Sequence, residues 1–308
     1  MATKRTFAAN TLIHCYQNTV NGYLLFYSVS DFLVYFTHFC VSATRHKITV
    51  AALCIMIDHI HSGVKASEPG KLSAFIREVS SEYSYSDTCT CHRSGNLFNR
   101  PFGSAPKIGD KKVRTNIIYI GNNPVERKLC FKAVEYRWNF LAYACSDHPF
   151  SEKLVIRKAS WHMKKAVKEV RAEHKRQTAL SYNQLQRLFK PLSNKEKLQL
   201  VDHIISLYNV IDYEYSASFF GGYDQMLKAM EYNTGSEYDI SENFVGRSDE
   251  CYSKISAWLI KNLKLKDVHE VFLKSEQERE ELMWTIYHNT GINKRQLAKY
   301  LRLNIVFR

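Results

Sequence analysis

The sequence predicts an α+β fold, in which helices pack on an antiparallel sheet and an all-helical region follows. Two observations predict it. Strand-like and helix-like segments alternate in the first half of the 308 residues, and helical patterns dominate after Tyr143. The order strand, helix, strand, helix, strand, helix is typical of the ferredoxin-like arrangement. A chain of this length can bury two cores, so we expect domains at 1–150 and 151–308.

Local patterns in the first half predict three strands and three helices. β-Branched residues and turn pairs mark the strands, and apolar residues three and four apart mark the helices. Pro124 closes the third helix, because proline disfavours helical geometry in the residue before it. In chain order, the segments are a strand over 12–20 ended by Asn21-Gly22, a helix capped by Ser30-Asp31, a buried central strand over 48–60, a helix over 71–83, an extended piece over 97–104 and a helix over 110–122.

A basic helix is predicted over Lys153–Arg176, with its positive charges spread around much of its circumference. Two interpretations stay open: a solvated helix on a basic protein, or a helix that binds a nucleic-acid backbone. The candidate contacts are Lys164, Lys165 and Lys168.

Two further helices, Ser275–His288 and Asn293–Leu301, are joined at Gly291, which suits a left-handed turn. Their spacing predicts a helix-turn-helix that reads DNA, with an ordinary helical hairpin as the alternative. The side chains expected to contact DNA are Lys294, Arg295 and Lys299.

Composition favours a polyanionic partner. The formal charge is +13, the pI is near 9.3 and 13% of residues are aromatic, so phosphates can meet cations and unpaired bases can stack. No run of about 18 apolar residues predicts a membrane span, and no signal peptide is recognisable, so we expect a cytoplasmic protein with reduced thiols. Cys89, Cys91 and His92 lack a second ligand pair at zinc-site spacing, which argues against structural zinc.

His59 and His61 stand two apart at the end of the predicted central strand. Period two places both imidazoles on one face, where their nitrogens can share a divalent cation. The alternative is a pair of partly exposed histidines at a strand edge.

Tyr119 lies on the third helix with Asn123 four residues later, on the same face. The Asn123 amide oxygen can give the cation a third ligand, although Asn122 or Asn116 could take its place, and Tyr119 can act as a nucleophile. The alternative for Tyr119 is an amphipathic core residue with its hydroxyl at the rim.

Four motifs in this order resemble the REP-associated tyrosine transposases, which belong to the single-tyrosine HUH (His-hydrophobic-His) transposases. The resemblance covers about residues 9–145. The motifs are Met56-Ile-Asp-His-Ile-His61, Gly95-Asn-Leu-Phe-Asn-Arg-Pro-Phe102, Tyr119-Ile-Gly-Asn-Asn-Pro-Val125 and Tyr136-Arg-Trp-Asn139. The segment before Tyr119 reads Thr-Asn-Ile-Ile where relatives often carry an Arg, and Arg114 and Lys112 are the nearby substitutes.

The resemblance implies a ferredoxin-like HUH nuclease domain with His59, His61 and Asn123 as metal ligands and Tyr119 as nucleophile. It implies a transposase that uses Mg²⁺ or Mn²⁺ and cuts single-stranded DNA through a 5′-phosphotyrosine, at hairpin or repeat sequences. A monomer and a homodimer both occur among relatives. A replication initiator or relaxase with the same chemistry, and a catalytically silent DNA-binding regulator, are the alternatives.

Overall fold

A four-stranded antiparallel sheet in the order β2-β3-β1-β4 forms the centre of the N-terminal half. The computed structural model describes residues 7–91, 96–99, 102–232 and 249–305. The α+β class predicted from the sequence is confirmed. The N-terminal elements are β1 (Leu12–Asn18), α1 (Val29–His46), β2 (Thr49–Ile55), β3 (His59–Lys65), α2 (Pro69–Cys91), β4 (Gly103–Lys107) and α3 (Asp110–Glu126).

Helices and short 3₁₀ turns make up the described residues after α3. Within those residues no helix is long and apolar enough to cross a bilayer. The helices are α4 (Trp161–Lys175), α5 (Tyr182–Phe189), α6 (Asn194–Tyr208), α7 (Tyr213–Ser218), α8 (Tyr223–Tyr232), α9 (Glu250–Leu263), α10 (Glu276–Thr290) and α11 (Lys294–Tyr300).

The central strand predicted over 48–60 is wrong: this segment contains β2 and the start of β3. The Met56 N–H donates to the His59 carbonyl at 2.9 Å and closes a tight turn. Sequence pattern missed the turn because Met56 is fully buried, Ile57 packs against the C-terminal helices, and neither Gly nor Pro marks the reversal. His59 and His61 therefore open β3 rather than end a longer strand.

Other boundaries differ from those that the sequence predicts. Ser28, not Ser30, caps α1, and its side chain accepts the Asp31 N–H. Pro124 lies inside α3, which continues to Glu126, because proline removes only one hydrogen bond and the flanking helix holds its geometry. The basic helix starts at Trp161, where Ser160 provides the cap. The fourth strand covers 103–107 instead of 97–104.

One apolar core joins α1 and α2 to the inner face of the sheet and also includes side chains of α4, α5 and α6. A second cluster holds α9, α10 and α11 together and includes Leu24, beside the β2–β3 turn residue Ile57. α3 covers the opposite face of the sheet. The division into domains at residue 150 stays a prediction.

Candidate active site

Strand register places three histidines on the sheet face that α3 covers. Tyr16 of β1 lies opposite His61 of β3, and Asn18 lies opposite His59, so these side chains share one face. His14 is two residues before Tyr16 and points the same way. Ile60, which lies between His59 and His61 in β3, points into the apolar core on the other face.

α3 presents three polar side chains to this face at intervals of four residues: Tyr119, Asn123 and Arg127. Arg127 is the C-cap, immediately after the last helical residue. Asn139 donates to the Gly121 carbonyl at 3.3 Å and Tyr136 donates to the Ile55 carbonyl at 3.0 Å. Both bonds come from the segment 136–139, which therefore joins the middle of α3 to the end of β2.

Tyr119, His61, His59 and Asn123 form one continuous cluster. The ring centroids of Tyr119 and His61 are 5.3 Å apart, and those of His61 and His59 are 4.9 Å apart. His59 Nε2 lies 3.3 Å from Asn123 Oδ1. His14 completes the cluster, with Nε2 3.0 Å from His61 Nδ1 and its ring 5.6 Å from that of Tyr119. The structure therefore brings together the nucleophile and the three ligands that the sequence predicts.

Each of the two motif histidines is held through its Nδ1. Asp58 Oδ1 lies 2.6 Å from His59 Nδ1, closer than Arg127 Nη2 at 3.2 Å, and because an ionised carboxylate can only accept, we assign the Nδ1 proton to the bond with Asp58. His61 Nδ1 shares a proton with His14 Nε2. This arrangement directs the Nε2 lone pair of a neutral His59 towards Asn123. Metal-binding histidines are oriented in the same way by partners on their second nitrogen.

Two cations flank the Asp58 carboxylate. Arg127 Nη1 is 2.9 Å from Oδ1, and Lys299 Nζ of α11 is 2.5 Å from Oδ2. Burial alone would raise the pKa of Asp58, but the hydrogen bond from His59 and the charges of Lys299 and Arg127 hold it well below its usual range. The carboxylate is therefore ionised and fixed behind His59.

Asp249, just before α9, lies close enough to the Asp58 carboxylate for the two charges to interact. Burial raises the pKa of Asp249 to about 6, and the Asp58 charge acts in the same direction, while Arg127 and Lys299 oppose it. Segments from both ends of the described chain thus meet behind His59.

The donor set fits a divalent cation. A neutral His59 Nε2 and the Asn123 amide oxygen are both acceptors, yet they face each other at 3.3 Å. Two ligands at right angles, each about 2.1 Å from an ion, would stand about 3 Å apart. Buried Asn123 Nδ2, a donor that cannot itself bind a cation, has no hydrogen-bond partner among the described residues. No group of three or more His, Cys, Asp or Glu in the described ranges has metal-site geometry.

The cluster is closed in this structure. Tyr119 is 3% exposed and packs with Cys54, Met56 and Ile120, and both motif histidines are equally buried. Within α3, Pro124 has no N–H to donate to the Ile120 carbonyl, so one backbone hydrogen bond of the helix is missing there. A phosphodiester can reach the phenol only when the surrounding segments move.

Tyr16 is the exposed aromatic residue at the margin of the cluster. It is 39% exposed, and its ring centroid lies 5.9 Å from that of His14. The ring crosses Gly103 of β4 so closely that a Cβ there would stand 1.9 Å from it. Gly103 therefore makes room for a second tyrosine beside the histidines.

The other predicted site residues lie elsewhere. Lys112 and Arg114 are exposed near the start of α3, whereas the cation beside His59 is Arg127. Asn122 donates to the Met230 carbonyl at 2.7 Å, away from the histidines. Asn116 is buried almost two turns before Asn123. These placements favour Asn123 over both alternatives as the ligand.

In the C-terminal helices, Lys299 forms an ion pair with Asp58, and Lys294 Nζ lies 4.4 Å from the centroid of the Trp284 ring. Arg295 is exposed. The Gly291 turn adopts the predicted left-handed geometry, with φ of 67°.

Lys164, Lys165 and Lys168 are exposed on α4. Cys89 is exposed, whereas the Cys91 side chain, His92, and Gly95, Arg100 and Pro101 of the second motif lie outside the described residues.

Sequence reasoning missed His14, Arg127 and Lys299 as members of this site. Arg127 was detectable, because it continues the interval of four from Tyr119 through Asn123. His14 depends on the pairing of β1 with β3, and Lys299 on a contact across 241 positions, which no local pattern records.

No protein-family model matches the chain, and no curated protein matches it. Among solved structures, the chain is similar to a REP-associated tyrosine transposase bound to a REP hairpin. The two sequences are 15% identical, the match covers 45% of this chain and 81% of that chain, and the TM-score is 0.39.

Proposed function

We propose that this protein is a metal-dependent transposase that nicks and rejoins single-stranded DNA, with Tyr119 as nucleophile. The observation that carries the proposal is the continuous cluster of Tyr119, His61, His59 and Asn123 between α3 and the sheet. The β-α-β-β-α-β order with sheet order β2-β3-β1-β4 supports the ferredoxin-like nuclease fold implied by the sequence motifs.

In the proposed reaction, the Tyr119 oxygen attacks the phosphorus of a DNA linkage and the bond from phosphorus to the 3′ oxygen breaks. The products are a 5′-phosphotyrosine and a 3′-hydroxyl, and the attack reverses without ATP because one phosphodiester replaces another. We propose His14, whose ring centroid lies 5.6 Å from that of Tyr119, as the acceptor of the phenol proton. Mg²⁺ or Mn²⁺ on His59, His61 and Asn123 would neutralise the phosphate and stabilise the leaving 3′ oxygen.

The remaining residues of the site hold these groups in place. Asp58 fixes the His59 tautomer, Arg127 and Lys299 keep Asp58 ionised, and His14 orients His61. The basic composition and the helices α10 and α11 support DNA binding at hairpin or repeat sequences.

The test is a covalent adduct on a denaturing gel, with single-stranded oligonucleotides that carry a hairpin and with Mn²⁺ or Mg²⁺. Tyr119→Phe should abolish the adduct and leave DNA affinity within about two-fold, because only one buried hydroxyl is removed. Tyr16→Phe is the matched control, since Tyr16 lies on the same face and also neighbours His14. An adduct that survives Tyr119→Phe and disappears in Tyr16→Phe would transfer the nucleophile to Tyr16.

Burial of Tyr119 among apolar side chains favours a second candidate function, a DNA-binding regulator that has kept the fold without the reaction. Such a protein shifts DNA in a native gel but forms no adduct under any metal condition. The adduct assay therefore separates the two functions.

A further inference from the structure

α4 divides into a buried face and an exposed face. Met163, Ala166, Val167 and Val170 are buried in the main core. The exposed residues of the opposite face recur at spacings of three and four, and they form one stripe rather than the spread of charge that the sequence predicts. This stripe, called the α4 basic face below, consists of Trp161, Lys164, Lys165, Lys168, Arg171 and Lys175.

The α4 basic face carries cations without carboxylates. The two acidic residues of the helix, Glu169 and Glu173, lie on its flank and pair with Arg187 and Arg176. In the part of the chain that the structure describes, none of the five stripe cations forms a salt bridge. Their charges are therefore available to a polyanion along a helix of about 21 Å, at 1.5 Å per residue.

Trp161 opens the stripe and is 67% exposed. Lys165 Nζ lies 5.3 Å from its ring centroid, so a cation stands beside the ring. A large aromatic side chain left in water on a basic surface matches the platforms on which proteins stack unpaired bases. Duplex DNA offers such a ring no open base, whereas a single strand does.

We propose that the α4 basic face binds the unpaired strand of the DNA substrate, with Trp161 stacked on a base and the cations on successive phosphates. This inference rests on the proposed function for the identity of the nucleic acid. It adds a second contact surface, separate from the Tyr119 cluster, and it commits to single-stranded over double-stranded DNA.

The experiment measures affinity of the full chain for a fluorescent oligothymidine and for a duplex of equal length. Trp161→Ala should weaken single-strand binding about ten-fold and change duplex binding less than two-fold, whereas Trp161→Phe should restore most of the loss. The triple variant Lys165→Ala, Lys168→Ala, Arg171→Ala should weaken single-strand binding and reduce the slope of log affinity against log salt by roughly 2.

The matched control is Lys190→Ala, Lys261→Ala, Lys266→Ala, which removes the same charge from exposed positions outside α4. Equal losses in the two triple variants would overturn the proposal in favour of nonspecific charge. Equal losses of duplex and single-strand binding in Trp161→Ala would overturn the stacking role. Failure of the adduct assay leaves these binding results intact, so the two proposals fail separately.

Discussion

The two faces of the central sheet are built from the same strands but differ in chemistry. Ile13 and Cys15 of β1 and Ile60 and Val64 of β3 point into an apolar core with α1 and α2. The alternating residues on the opposite face include His14, His59 and His61, buried beneath α3. One face packs against an apolar core, whereas the face beneath α3 combines apolar clusters with imidazoles that hydrogen-bond to neighbouring polar groups.

The difference separates the residues expected to set stability from those expected to carry the proposed reaction. Apolar side chains in the core gain free energy by leaving water, at about 25 cal/mol per Å². Buried imidazoles need hydrogen bonds to offset desolvation, so a stable fold has no reason to gather three of them. We expect the apolar face to govern unfolding and the histidine face to govern the reaction.

The largest expected effect is on the histidine face. His59→Ala combined with His61→Ala should abolish metal-dependent cleavage, a loss of at least about 10³-fold, because both imidazole ligands disappear. Adduct formation with added Mn²⁺ measures it, and the His46→Ala variant is a control for loss of a histidine far from the cluster. Undiminished wild-type cleavage in excess chelator would contradict the role of metal.

On the apolar face, Ile60→Ala should lower the free energy of unfolding by about 2–5 kcal/mol, since it leaves a cavity in the main apolar core. Urea denaturation measures the change. His61→Ala should cost less stability than Ile60→Ala while costing more activity. If the two variants rank the same way in both assays, the contrast between the faces is wrong.

His269 lies outside the cluster and gives a third histidine environment to compare with the two sheet faces. Burial alone would lower the pKa of His269, but the carboxylates of Asp31 and Asp267 raise it to about 10. Its folded pKa exceeds the unfolded value near 6.5, so the charged form contributes its full stability below pH 6.5, and the contribution is lost as the pH rises through about 10. The contribution is at most a few kcal/mol.

Urea denaturation between pH 6 and pH 10 tests this role. The stability difference between wild type and His269→Gln should shrink as the pH rises, while exposed His288→Gln should leave the pH profile unchanged. A difference that stays constant across the range would show that His269 is neutral in the folded protein.

The smallest expected effect concerns the margin of the site. Gly103→Ala should destabilise the protein by about 1 kcal/mol, because the new Cβ displaces the Tyr16 ring. In a Tyr16→Ala background, the same substitution should cost almost nothing. A cost that persists without the Tyr16 ring would place the strain in the β4 backbone instead.

Sequence alone predicted which candidate residues share a face better than it predicted the strands and turns around them. Helical spacing correctly placed Tyr119 and Asn123 on one face, and period two placed His59 and His61 on another. The β2–β3 turn escaped because its buried residues lack a turn signature, so the strand count was one too low. His14 could not be found, since its position beside His61 depends on which strands pair.

The ion pair between Lys299 and Asp58 has a consequence for how the protein is made. During synthesis the histidine pair leaves the ribosome long before α11, which lies 241 positions after Asp58. A nascent chain thus lacks the lysine that helps to secure the carboxylate behind His59. Under the proposed function, the support behind His59 is complete only after α11 has docked, so a nascent chain is expected to cut DNA less well than the finished protein.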